Sequence, residues 1–102
     1  MLPKLVRDKI PDIIRANGQE CEIEILSDEE YIKALDAKLS EEVAEYHESH
    51  SLEELADIFT VLCHVVTARG HSFGELLEAI LQKNIDRGEF NKHILLKKIK
   101  EN

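Results

Sequence analysis

The chain has 102 residues, 43% hydrophobic but only 5% aromatic and without Trp, enough for a single domain over 1–102 whose core is Leu, Ile, Val and Ala. With 21 acidic against 13 basic residues the formal net charge is −8, which disfavours DNA, RNA and anionic membrane as general partners. No apolar run approaches the ~20 residues needed to cross a bilayer, and Met1–Lys9 is too charged for a signal peptide, so a reduced, cytoplasmic protein is expected.

In chain order, Pro11 suits the first turn of a short helix over 12–16, closed by Asn17-Gly18. Residues 21–25 alternate apolar and acidic, the period of a half-buried strand. Three helices follow, each announced by the Ser-x-x-Glu of a capping box: Ser27 with Glu30, Ser51 with Glu54, Ser72 with Glu75. The first should run over 28–48, with Ile32, Leu35, Leu39 and Val43 on its inner face. The second should run over 52–68 and stop at Arg69-Gly70. Its segment 55–66 is apolar nearly all round, which predicts burial on most sides. The third carries Phe73, Leu76, Leu77, Ile80 and Leu81 to Arg87-Gly88. The tail over 93–99 reads as strand or helix, with strand preferred because 21–25 needs a partner. The expected fold class is all-α dominant, a helical bundle with an antiparallel helix hairpin and room for a minor two-stranded β element. A small aliphatic core of this kind gains from subunit association, so a homodimer or homotetramer is expected.

The link Ser49-His50-Ser51 is short, which makes the two flanking helices antiparallel neighbours. Residues equally far from the turn then lie side by side, so that Glu45 faces Glu54 and Glu42 faces Asp57. On each helix the two acids are three apart, about 60° around the axis. Glu42 continues an apolar stripe through Leu35 and Leu39 to Tyr46, and Asp57 sits in the most hydrophobic segment, where an unpaired carboxylate is costly. Four converging acids repel unless a cation sits among them. Carboxylate donors without Cys or His favour Mg²⁺, with Mn²⁺ as a substitute, and so an enzyme that works on phosphates. Plainer readings stand beside this one. Glu54 is explained equally by the capping box with Ser51, and Glu41 and Glu48 by an ordinary solvated face.

Lys83 and Arg87 share a helix face, suited to gripping phosphate or to complementing the helix dipole. Lys4, Arg7 and Lys9 form a second basic group that composition alone reads as a solvated tail. The histidines share no ligand spacing; His64 reads as a core residue and His47, His50, His71 and His93 as surface. Cys21 and Cys63 likewise lack metal or redox spacing and read as small apolar residues.

Glu41-Glu42-x-x-Glu45 followed by Glu54-x-x-Asp57 resembles the EExxE…ExxD signature of the MazG-like, all-α nucleoside triphosphate pyrophosphohydrolases. The opening Lys4-Leu5-Val6-Arg7-Asp8-Lys9-Ile10-Pro11 and the closing Arg87-Gly88-Glu89-Phe90…Ile94-x-Leu96 are similar to those of its small phosphoribosyl-ATP pyrophosphohydrolase-like branch, so the likeness spans essentially the whole chain. The resemblance implies a hydrolase with Mg²⁺-dependent, house-cleaning activity. It would cleave a nucleoside triphosphate substrate between the α and β phosphates to give a monophosphate and pyrophosphate. Carried over residue by residue, Glu42, Glu45, Glu54 and Asp57 fall on metal-ligand positions. Glu41, Glu42 and Glu45 become the catalytic candidates, with Glu41 supporting the ligands or orienting water. Lys83 and Arg87, with Arg7 and Lys9 from the opening signature, become the substrate-binding candidates. The chain departs from the family in two places: the acidic motifs are separated only by Tyr46 to Glu53, a short interval, and Glu89 stands where the branch more often has a second glycine. The rival expectation is a helical dimer of the same fold that binds or regulates without turnover.

Overall fold

The computed structural model describes residues 2–101. The chain divides into two compact units, Met1–His71 and Ser72–Asn102. Four helices make it all-α: α1 (Ile10–Ala16), α2 (Asp28–Ser49) and α3 (Leu52–Ala68) in the first unit, α4 (Phe73–Arg87) in the second.

In α1 the proline occupies the first turn, where its missing N–H leaves nothing unsatisfied. Gly18, at φ +82°, turns the chain away, and the N–H groups of Gly18 and Gln19 donate to the Arg15 and Ile14 carbonyls. The capping boxes of α2 and α4 are complete. Ser27 and Ser72 accept from the backbone N–H of Glu30 and Glu75, whose carboxylates accept in return from the backbone N–H of the two serines.

Between α2 and α3 only His50 and Ser51 are left outside a helix, one residue fewer than the predicted link because α2 keeps Ser49. His50 absorbs the reversal in the left-handed region at φ 51°, and its N–H donates to the Tyr46 carbonyl at 2.7 Å. So short a link folds α3 back along α2 as an antiparallel hairpin. Across the hairpin Leu35 of α2 and Val61 of α3 are the buried apolar side chains, flanked by half-buried Ile32, Leu39, Val43, Ile58 and Leu62.

Three expectations are corrected by the structure. No strand occurs among the described residues: 21–25 and 93–99 are both irregular. Alternation marks a face that wants cover, but a strand also needs a second chain segment to take up its N–H and C=O groups, and Ile25 and Leu95 remain 88% and 83% exposed. The apolar run 55–66 is also not buried on most sides. Leu55 and Phe59 are exposed, and so is His64, which is therefore a surface histidine and not a core one. Among the described residues no helix is long and apolar enough to cross a membrane.

Ser51 caps α3 by accepting from the Glu54 N–H at 3.2 Å. Ser51→Ala should therefore lower stability by about 1 kcal/mol, seen in a thermal melt as a fall of roughly 4–8 °C.

Candidate metal centre

The third Ser-x-x-Glu differs from the other two in a way that shapes the site. Ser51 accepts from the Glu54 backbone, but Glu54 does not return the bond; the Ser51 N–H donates instead to Ser49 Oγ at 3.2 Å. Ser49 thus takes over half of the capping box and releases the Glu54 carboxylate toward α2. There it joins Glu42 and Asp57, the three offering carboxylate oxygens within 4.8 Å of one another. Glu41, Glu42 and Glu45 form a second such group, also within 4.8 Å, so Glu42 belongs to both.

Glu42 is the centre of this arrangement and is 4% exposed. The Lys38 ammonium, one turn earlier on α2, lies 3.1 Å from Glu42 Oε1 and 3.5 Å from Glu41 Oε2. Burial works against the charge on Lys38, but the two carboxylates outweigh it and hold its pKa above the ordinary value. The other Glu42 oxygen, Oε2, is buried with no donor among the described residues, as is Oε2 of Glu54. Two facing carboxylates cannot hydrogen-bond without a proton between them. Accordingly Glu54 is pushed up from 4.5 to about 7, first by its hydrogen bond to the Glu42 carboxyl, then by desolvation and by the charges of Glu45 and Glu42.

Two further cations reach the acids from the segment ahead of α1. Arg7 Nη2 donates to Asp57 Oδ1 at 2.5 Å, and the Lys4 ammonium is 3.6 Å from Glu41 Oε1. The basic group ahead of α1 is therefore not a solvated tail. Lys9 is exposed at the N-cap of α1. Lys83 and Arg87 are exposed on α4, in the second unit.

Lys38 and Ser49 are the contributors that motif reading passed over. Lys38 was detectable as a cation three and four residues before Glu41 and Glu42. Ser49 was not, because the choice between it and Glu54 as the partner of the Ser51 N–H depends on the turn geometry.

The donor set is all oxygen, and it contains a buried acceptor without a partner. Both properties suit a hard divalent cation held by Glu42, Glu54 and Asp57 with Glu45 beside them.

No family model matches this chain, and no solved structure matches it significantly. A stretch of 44 residues is 61% identical to an uncharacterised protein of Mycolicibacterium smegmatis (strain ATCC 700084 / mc(2)155), covering 43% of this chain and 45% of that one. The match thus spans less than half the length of that relative.

The raised Glu54 pKa has a definite sign in stability. Above about 4.5 the unfolded chain gives up this proton, whereas the folded chain keeps it until about 7. The contribution is therefore fully present below 4.5 and is lost as pH rises through 7. Glu54→Gln, which cannot ionise, should gain in Tm relative to the parent as pH goes from 5 to 8 in chelator. Parallel melting curves for the two proteins would contradict the shared proton.

Proposed function

We propose that this chain is a Mg²⁺-dependent nucleoside triphosphate pyrophosphohydrolase of the MazG-like kind, producing a nucleoside monophosphate and pyrophosphate. The observation that carries the reading is Glu42: a carboxylate buried among acids on the facing helix, with one oxygen left without a donor. Lys38 answers one oxygen of this carboxylate, and burying the other without a partner is costly unless a further cation takes it. The EExxE…ExxD pattern, supplied by an all-α hairpin, is the second support.

In this reading Glu42, Glu45, Glu54 and Asp57 hold the metal, which when bound supplies positive charge to the phosphate oxygens and lowers the pKa of water at the site. Among the described residues no Ser or Cys is paired with a base there, so water is the proposed attacking group. Its oxygen bonds to the α phosphorus while the bridging bond to the β phosphate breaks, and pyrophosphate departs with the bridging oxygen. The proton passes to a carboxylate of the Glu41, Glu42 and Glu45 group. The exposed apolar residues of α3, Leu52, Leu55 and Phe59, support a homodimer or homotetramer in which a second copy covers them.

The test is pyrophosphate release from a panel of ribo- and deoxynucleoside triphosphates, with and without Mg²⁺. Metal-dependent release with monophosphate as co-product is expected. Glu42→Gln and Asp57→Asn should each lower turnover by about a hundredfold or more with the helical circular dichroism unchanged. Near-normal turnover in both variants would sink the assignment. A silent panel with no thermal shift in millimolar Mg²⁺ would favour a non-catalytic helical dimer.

A further inference from the structure

Arg7 lies in irregular chain, 50 residues from Asp57, yet its guanidinium sits on that carboxylate at 2.5 Å. Isolated exposed ion pairs contribute little and need no explanation. This one differs in its acceptor, because Asp57 shares its surroundings with Glu42 and Glu54, all offering oxygens within 4.8 Å. Lys38 answers Glu42 Oε1, but the buried Oε2 of Glu42 has no hydrogen-bond partner among the described residues, so the cluster keeps an acceptor open to a further cation. A guanidinium on Asp57 is a chemical stand-in for part of the charge a divalent cation would bring. The two cations repel each other across one carboxylate, so each weakens the other's hold.

The backbone at Arg7 is anchored independently of this pair. Its carbonyl accepts from the Ile10 N–H at 3.1 Å at the entry to α1. Two residues earlier Leu5 is half-buried, and with Pro3 it walls a groove of about 270 Å³ whose other side is Ala34, Ala37 and Glu41 of α2. The segment therefore stays seated if the side chain leaves. The side chain itself is 58% exposed, so it needs only a rotamer change to move. A released guanidinium beside a cation-loaded acidic cluster meets one kind of ligand well: a polyphosphate, which it can bind in bidentate fashion.

We propose that Arg7 is a built-in counter-ion for Asp57 that a divalent cation displaces, and that the displaced guanidinium then grips the polyphosphate chain of the substrate. The inference rests on the metal-centre reading and adds an exchange to it: metal binding and exposure of a phosphate-binding Arg become one event. Arg7 is thereby a substrate-binding residue whose availability depends on the metal.

The experiment is direct titration of the full chain with Mn²⁺ alone, followed by magnetic resonance of the free ion, and then of the Mn²⁺-loaded protein with inorganic tripolyphosphate. Arg7→Gln should bind Mn²⁺ roughly fivefold more tightly than the parent, the upper end for removal of an exposed ion pair. The Mn²⁺-loaded variant should bind tripolyphosphate roughly tenfold more weakly, as expected for one lost charge-assisted contact. In an Asp57→Asn background Arg7→Gln should no longer change Mn²⁺ affinity, since the competed carboxylate is gone. Arg7→Lys keeps the charge and should restore the parent's Mn²⁺ affinity more fully than its tripolyphosphate affinity. If Arg7 were only a structural brace, Arg7→Gln would leave Mn²⁺ binding unchanged or weaken it, and either result overturns the exchange while the metal centre stands. A parent protein that binds no Mn²⁺ would overturn both.

Discussion

The rest of the first unit is arranged around one buried carboxylate. Glu42 is nearly inaccessible to water, and Glu54 and Asp57 of the facing helix crowd the same space. Left to themselves, these charges would push α2 and α3 apart, since a low-dielectric environment strengthens repulsion as much as attraction. The chain offsets the strain in three places. Lys38 bridges Glu41 and Glu42, Arg7 reaches Asp57 from the far end of the unit, and Glu54 keeps its proton to an unusually high pH. That proton answers the pair only up to about pH 7; once it is lost, Glu42 Oε2 and Glu54 Oε2 are buried with no hydrogen-bond partner among the described residues. An acid cluster that consumes this many counter-charges and stays incomplete is arranged at the expense of stability, which is the physical ground for reading it as functional.

The short hairpin link makes that convergence possible. With two residues between the helices, the first turn of α3 lies beside the last turns of α2, and Ser49 is close enough to take the Ser51 N–H. That small substitution of one acceptor for another decides whether Glu54 is a helix cap or a member of the site. The same device, intact in α2 and α4, ties down Glu30 and Glu75. Three identical tetrapeptide patterns thus serve two different purposes, distinguished only by what precedes them in space.

The hairpin alone is thinly covered. Leu35 and Val61 are its buried apolar side chains, while Leu52, Leu55 and Phe59 of α3 remain exposed. In the second unit Phe73, Leu77, Ile80 and Leu81 of α4 are exposed as well. Apolar stripes of this extent on neighbouring turns are more than scattered surface hydrophobics. They provide the basis for the proposed homo-oligomer. The run 55–66, apolar nearly all round and expected to be buried on most sides, accordingly leaves Leu55 and Phe59 exposed.

The extents of α2, α3 and α4 were legible because Ser-x-x-Glu starts and Arg-Gly stops are local signals, read from backbone hydrogen bonding within a few residues. The grouping of Glu42 with Glu54 and Asp57 was legible for a related reason. Helical spacing and a short turn leave almost no freedom in which residues meet. The strands expected at 21–25 and 93–99 were not determined locally, since a strand exists only when a distant segment pairs with it, and none does among the described residues. Counter-charge was likewise a tertiary matter. Nothing in the spacing of Arg7 and Asp57 brings them together, and only the path of the segment before α1 along α2 does so. By itself, then, the sequence determined the helices and the mirror-related acids, because both follow from contacts a few residues apart. The tertiary structure decided which acid is buried, which cations answer it and which apolar faces stay bare, because those depend on where the rest of the chain lies.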